Sequence, residues 1–144
     1  MEQKTTGELM QLLSSAKNIS DLKQYTDALA DMRSSVSFPE YLNELMRAHG
    51  MTASKLIAES QIQRNYGYQI LDGRRIPSRD KVISLCLALK LELPETQRAL
   101  TLTKNGQLYS KNKRDSILIF ALEKKLSVID TNVLLEEMDE SVLN

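Results

Sequence analysis

The stretch that decides the fold is Met51–Pro77, MTASKLIAESQIQRNYGYQILDGRRIP. Thr52 can cap a short helix that buries Leu56 and Ile57 and carries Ala58 as a small inward residue. Ser60-Gln61 with apolar Ile62 predicts a tight turn into a second helix, from about Gln63 to Leu71, that Asp72-Gly73 stops. This second helix is built mostly from hydrogen-bonding side chains. A Gly-Arg-Arg loop closed by Pro77 follows it.

An α-helix fits the major groove of DNA, where Arg matches the edge of guanine and Asn or Gln that of adenine. The second helix sets Arg64, Asn65, Tyr68 and Gln69 on one polar arc and leaves Ile70 for the core, which makes those four the candidate base-reading residues. Arg74, Arg75 and Arg79, with Lys81, come next, where a chain leaving the groove must pass sugar-phosphate; such contacts carry affinity rather than sequence choice. The layout is that of a helix-turn-helix reader. Gly67 is the anomaly, because a glycine inside a helix costs about 1 kcal/mol against alanine. Close approach of this helix to Ala58 is the expected compensation.

Outward from this motif the chain reads as helical throughout. Three prolines and five glycines punctuate 144 residues, and apolar residues recur at spacings of three and four. Thr5 with Glu8 forms a capping box for a first helix, Ser20 can cap a second, and Arg33 to Ser37 reads as a linker. Ser37 with Glu40 caps a helix bearing Tyr41, Leu42, Leu45 and Met46, which Gly50 ends. Ser78 caps a helix that is apolar nearly all round, Val82 to Leu89, and so belongs at the centre of the core. A fifth helix of the bundle starts near Pro94. Asn105-Gly106 marks a turn, SILIFAL belongs on a buried helix from Arg114 to Lys124, and the last helix follows Ser127. LELPETQRALTL echoes LSVIDTNVLLEE when Leu91 is aligned with Leu126, which matches Thr96 with Thr131 and Leu100 with Leu135; two similar helical caps on one bundle would account for it. The expected organisation is an N-terminal helical extension (1–36), a helix-turn-helix domain (37–104) and a C-terminal helical extension packed on the bundle (105–144).

Charge is balanced overall, at 19 basic and 19 acidic residues, yet segregated along the chain. Residues 41–90 carry eight bases against four acids, a surplus of four, while Leu126 to Asn144 holds five acids and no base. Lys111, Lys113 and Arg114 form a further basic cluster. Such segregation suits one face that meets phosphate and a tail that stays in water. The single cysteine, Cys86, sits in an apolar run and reads as a small buried hydrophobe. No apolar run approaches the roughly 20 residues that span a bilayer, and the start is too polar for a signal peptide, so a soluble, cytoplasmic protein without membrane contact is expected.

From about Phe38 to Leu91 the chain resembles the Cro/C1-type helix-turn-helix family, also called the xenobiotic-response-element family. The likeness lies in Thr52-x-x-x-Leu56-x-Ala58, the second motif helix, Ile70-x-x-Gly73, Pro77-Ser78 and Leu85-x-x-Ala88-Leu89. The whole chain is also similar to a group of bacterial regulators with helical extensions on both sides, through Tyr66-x-Tyr68-Gln69-Ile70, Pro77-Ser78-Arg79-Asp80-Lys81 and Arg114-Asp115. The resemblance implies an all-α fold, a five-helix lambda-repressor-like bundle with flanking helices. It implies base reading by Arg64, Asn65 and Gln69, backbone or thymine-methyl contacts from Gln63 and Tyr66, and phosphate contacts from Thr52, Arg74 and Arg75. Two positions depart from the pattern. Ala53 stands where a phosphate-touching Gln is frequent, and Met46 and Leu71 stand where an Arg–Glu pair commonly joins the first helix to the reading helix, so packing replaces an ion pair.

These readings predict a sequence-specific regulator of double-stranded DNA, acting as a homodimer because one module makes too few contacts for useful specificity. The dimer surface is expected in residues 92–144 or in the N-terminal extension. The alternative is a protein-interaction module, antitoxin- or adaptor-like, that keeps the fold without specific DNA binding and meets a partner through the extensions. Catalysis finds little to stand on. His49 is the sole histidine, there is no cysteine pair, and no glycine-rich phosphate loop is present, so no enzyme activity, metal or cofactor is expected.

Overall fold

The computed structural model describes residues 36–144; the helices expected at Thr5 and Ser20 lie outside the described residues. Among the described residues the elements are all helical: α1 Phe38–Ala48, α2 Ala53–Glu59, α3 Arg64–Leu71, α4 Arg79–Ala88, α5 Leu93–Leu102, α6 Lys113–Glu123 and α7 Val128–Glu137. Phe38–Asn144 forms one compact unit.

Local chemistry sets most of these boundaries. Thr52, Ser78, Asn112 and Ser127 each stand just before a helix and accept a hydrogen bond from the backbone N–H three residues on. Glu92 and Glu95 cap α5 reciprocally, and Pro94 occupies its first turn, where a missing N–H costs little. Gly50, at φ +63°, ends α1, and the Met51 N–H reaches back to the Met46 carbonyl at 2.9 Å.

The core is centred on α4, in which every residue from Val82 to Leu89 is buried. Leu42, Leu45 and Met46 of α1, Leu56 of α2 and Ile70 of α3 join the same hydrophobic cluster, as do Leu118 and Leu122 of α6 and Leu135 of α7. Helices α6 and α7 therefore share the core of the first five. Met46 is buried and Leu71 packs half-buried against the cluster, consistent with apolar packing where α1 touches α3. On the far side of α1 the Tyr41 hydroxyl donates to the Glu95 carbonyl of α5 at 3.2 Å, and Arg98 lies 5.2 Å from the Tyr41 ring centre. Burial and then the Glu95 carboxylate push this phenol up to about 12, so it remains a donor.

The echo between Leu91 and Leu126 extends much further than two helices. Lys90 and Lys125, 35 positions apart, each donate from Nζ to the other's backbone carbonyl at 3.0 Å. Both have left-handed backbones at helix ends. The same offset carries Arg79 to Arg114 and Asp80 to Asp115, and these four residues are cross-linked. Arg79 grips Asp115 through both terminal nitrogens at 2.9 and 2.8 Å, and Arg114 grips Asp80 in the same way at 3.0 and 2.9 Å. Buried Thr96 and Thr131 each donate to the carbonyl four residues back, Glu92 and Ser127. Helix α4 touches α7 as α5 touches α6. A translational repeat would give one set of these contacts without its converse, whereas a two-fold relation gives both. The hairpins α4–α5 and α6–α7 are thus two like units facing each other about an approximate two-fold axis.

The first of these ion pairs has a pH signature. Burial alone raises the Asp115 carboxyl, but hydrogen bonds from the Arg79 guanidinium and the Tyr109 N–H outweigh it and hold the group below the usual carboxylate range. A group depressed in the folded state stabilises above its unfolded pKa and loses that contribution as pH falls through its folded value. Stability from this pair should be level above about pH 5 and decline below about pH 4. Asp115→Asn should lower unfolding free energy at pH 7 by about 2–4 kcal/mol, because it strands a half-sheltered guanidinium, and should flatten the acid decline. Denaturant unfolding of both proteins between pH 3 and 7 measures both effects.

Candidate nucleic-acid interface

Helix α2, the turn and α3 form two short helices with unequal faces. Helix α2 buries Leu56 and Ile57, and the Ser60 hydroxyl is buried and donates to the Leu56 carbonyl at 2.6 Å. Gln61 turns the chain with φ +60°, and Ile62 enters the core. Helix α3 buries only Gly67 and Ile70. Arg64, Asn65 and Tyr68 are exposed, and Gln69 is half-exposed. The four expected base-reading residues are therefore accessible on a helix whose other side is seated on the protein.

Gly67 is explained, though by a different neighbour. A Cβ at this position would lie 2.7 Å from both branches of the Ile57 side chain. Ala58, the expected neighbour, is exposed. The α2 face that meets α3 lies one residue earlier than the periodicity suggested, and the glycine is needed because a β-branched side chain fills the gap. Gly67→Ala should therefore destabilise the protein by about 1–3 kcal/mol, although alanine is the better helix former. Thermal unfolding checks this, and Ile57→Val in the same background should recover part of the loss.

The remaining expected contacts divide into those presented to solvent and those already engaged. Thr52 accepts from the Lys55 N–H at 3.2 Å, and Gln63 accepts from the Tyr66 N–H at 2.8 Å, so both serve as helix caps while remaining exposed. Arg74 folds onto Asp72, with its Nε 2.7 Å from one carboxylate oxygen and its own backbone N–H donating to the other at 2.9 Å. The Arg74 side-chain hydrogen bond holds the Asp72 carboxyl below its ordinary range. Arg75 donates from Nε to the Gln69 side-chain oxygen at 2.9 Å and from its backbone N–H to the Gln69 carbonyl at 3.1 Å. The Arg75 guanidinium also lies 5.4 Å from the Tyr66 ring centre, and the Lys81 ammonium 5.3 Å from it. Arg64 similarly lies 5.9 Å from the Tyr68 ring. Gln69 and Arg75 thus form one unit, braced by Tyr66.

Arg79 does not join this face. Besides its grip on Asp115, its Nε donates to the Gly106 carbonyl at 2.8 Å and one terminal nitrogen to the Gln107 carbonyl at 3.1 Å. With four hydrogen bonds inside the protein it holds the hairpins together, and the expected phosphate role passes it by. Arg114, in the second basic cluster, is likewise taken up by Asp80 and the Ser141 carbonyl. Lys81, which the sequence reading set beside these arginines, belongs to the face, and so does Ile76, which it did not single out. Lys81 supports Tyr66, and Ile76 is 78% exposed between Arg75 and Pro77. Ile76 has no apolar companion three or four positions away on its C-terminal side, a sign that it lies outside any buried stripe.

No family model, curated protein or solved structure matches this chain. Among the described residues no group of three His, Cys, Asp or Glu could hold a metal ion, and no helix is long and apolar enough to cross a membrane. Cys86 is fully enclosed, and burial, with a smaller opposing hydrogen bond to Thr96, pushes its thiol up to about 12. It is no nucleophile at neutral pH.

Proposed function

We propose that this protein is a sequence-specific DNA-binding regulator of the Cro/C1 type that reads the major groove with α3. The observation that carries this reading is the exposed arc of Arg64, Asn65, Tyr68 and Gln69 on a helix seated by Gly67 and Ile70, beside the exposed cationic loop of Arg74 and Arg75. The turn from α2 supports it by offering the N-terminal end of α3 to solvent. Arg64 and Asn65 lie in the first turn of that helix, the part that enters the groove deepest in such readers. Thr52, Gln63 and Tyr66 flank it for backbone contacts. In this reading two copies bind two half-sites, and the protein works in the bacterial cytoplasm, where its DNA is.

Gln69 and Arg75 act together rather than as a base reader and a generic phosphate anchor. With its carboxamide oxygen held by Arg75, Gln69 presents its amide hydrogens and one remaining lone pair in a set orientation. A second reading, a protein-interaction module without specific DNA binding, is favoured by one observation, the exposure of Ile129 and Val133 on α7.

Selection from a randomised duplex pool at two salt concentrations tests the first reading. A short enriched site whose affinity falls steeply with salt is expected. Arg64→Ala and Gln69→Ala should each relax base choice at one position, at a cost of about 1–3 kcal/mol on the selected site. Arg74→Ala should weaken all duplexes alike and lower the salt slope by about one. Arg75→Ala should do both, and its loosened position should be that of Gln69. No enrichment together with no salt-sensitive binding would favour the interaction module.

A further inference from the structure

The two-fold relation between the hairpins shows which apolar surface no described helix covers. In the first hairpin, α1 lies along one face of α5, through Tyr41 to Glu95 and Arg98. The offset of 35 carries Pro94, Glu95 and Arg98 of α5 to Ile129, Asp130 and Val133 of α7. Ile129 is 57% exposed and Val133 51% exposed, one helical turn apart on the same side of α7. The same offset carries Leu85, buried at 2%, to Phe120, exposed at 47%. The second hairpin thus has the build of the first, with apolar Val133 and Phe120 where the first has half-buried Arg98 against α1 and buried Leu85, and apolar Ile129 where the first has exposed Pro94; no described helix covers these three.

We infer that this face of α7 is where two copies of the chain associate, with the two α7 helices side by side and antiparallel. The inference rests on the reading that the protein acts as a pair, and is independent of whether it binds DNA. The occupant follows from the charge pattern. Lys90, Lys124 and Lys125 are exposed with Glu123 and Asp130 at the end of the hairpin where α7 begins, a basic surplus, and Glu136, Glu137 and Asp139 are exposed where it ends, an acidic surplus that Lys113 offsets only in part. A parallel pair would set like charges together; an antiparallel pair sets the bases of one copy against the acids of the other and opposes the helix dipoles.

The register is self-consistent. Ile129 and Val133 lie evenly on either side of Thr131, as do Lys125 and Glu137. A two-fold axis crossing at the level of Thr131 therefore places Ile129 beside Val133 of the partner and sets the Lys124–Lys125 end of one copy against the Glu136–Glu137 end of the other. Apolar pairing at the centre with charges at both ends is the self-complementary pattern that an isologous interface needs. A hydrophobic partner of unrelated sequence would require no such symmetry.

Sedimentation equilibrium of the full chain without DNA tests the proposal. A monomer–dimer equilibrium in the micromolar range is expected, since one helix pair buries less than a standard interface. Val133→Glu should weaken it on the order of a hundredfold, because each dimer would receive the charge twice, while circular dichroism and thermal unfolding stay unchanged at so exposed a site. Lys124→Glu and Glu137→Lys should each weaken self-association roughly tenfold, and the two variants mixed should form a heterodimer at close to the original affinity, since both ends of the pair are then complementary. A monomer at every concentration overturns the proposal. So does a dimer that ignores Val133→Glu, or one that the mixture fails to restore. Failure of the DNA selection with these results intact would overturn the regulator reading and leave the interface standing.

Discussion

Two crossed arginine–aspartate pairs hold this molecule in its arrangement. Arg79 reaches from the start of α4 to Asp115 at the start of α6, and Arg114 returns from α6 to Asp80. Ion pairs sheltered from water contribute little net stability, because desolvation offsets most of the attraction, but losing one partner is costly. Their effect here is to fix register. Two-pronged pairs at both helix starts admit only one way for the hairpins to meet, and the chain end is drawn in as well, through the Arg114 bond to the Ser141 carbonyl and the Asn144 N–H on Asp80. Core packing alone would tolerate small rotations that these pairs do not.

Helix α4 transmits that register to the candidate interface. Its first turn carries one half of each pair and also Lys81, which lies over Tyr66 on α3. Its buried residues form the floor against which α2 packs. The polar helix is consequently held from three directions: by Ile57 against Gly67, by Ile70 in the core, and by the Tyr66 ring between Lys81 and Arg75. A helix of eight residues has little intrinsic stability in water. Its order is borrowed from the neighbours, which suits an element whose exposed face is spent on side chains that make no contribution to the core.

The internal two-fold also explains why the last two helices belong to the domain and yet leave apolar surface behind. Helices α6 and α7 repeat α4 and α5 closely enough to use the same ion pairs, the same paired lysine ends and the same buried threonines. Among the described residues no counterpart of α1 lies across their outer face. An amphipathic helix needs a second surface on whichever side is apolar. Where α1 supplies one, at α5, the position corresponding to Val133 is Arg98, stacked on a tyrosine; where no described helix does, the position is an exposed valine.

The helices from Phe38 onward, the caps at Thr52, Ser78 and Ser127, the central place of α4 and the polar arc of α3 were legible in the sequence. Each of these depends on residues within a turn or two of one another, and caps and periodicity are written at that range. It also held the echo at an offset of 35, in Thr96 with Thr131 and Leu100 with Leu135, without disclosing how the two copies face each other. Which arginines stand on the open face and which are drawn inside follows from tertiary packing. Arg75 and Arg79 are four positions apart and chemically identical, yet one is tied to Gln69 on the open face and the other to Asp115, whose place in the sequence lies 36 residues away. Likewise Gly67 was legible as a point of close approach, but the choice of Ile57 over Ala58 depended on the rotation of α2 about its axis, which the core sets. A side chain's type is local information; its partner is a property of the assembled core, because only there do distant charges come close enough, and dry enough, to select one another.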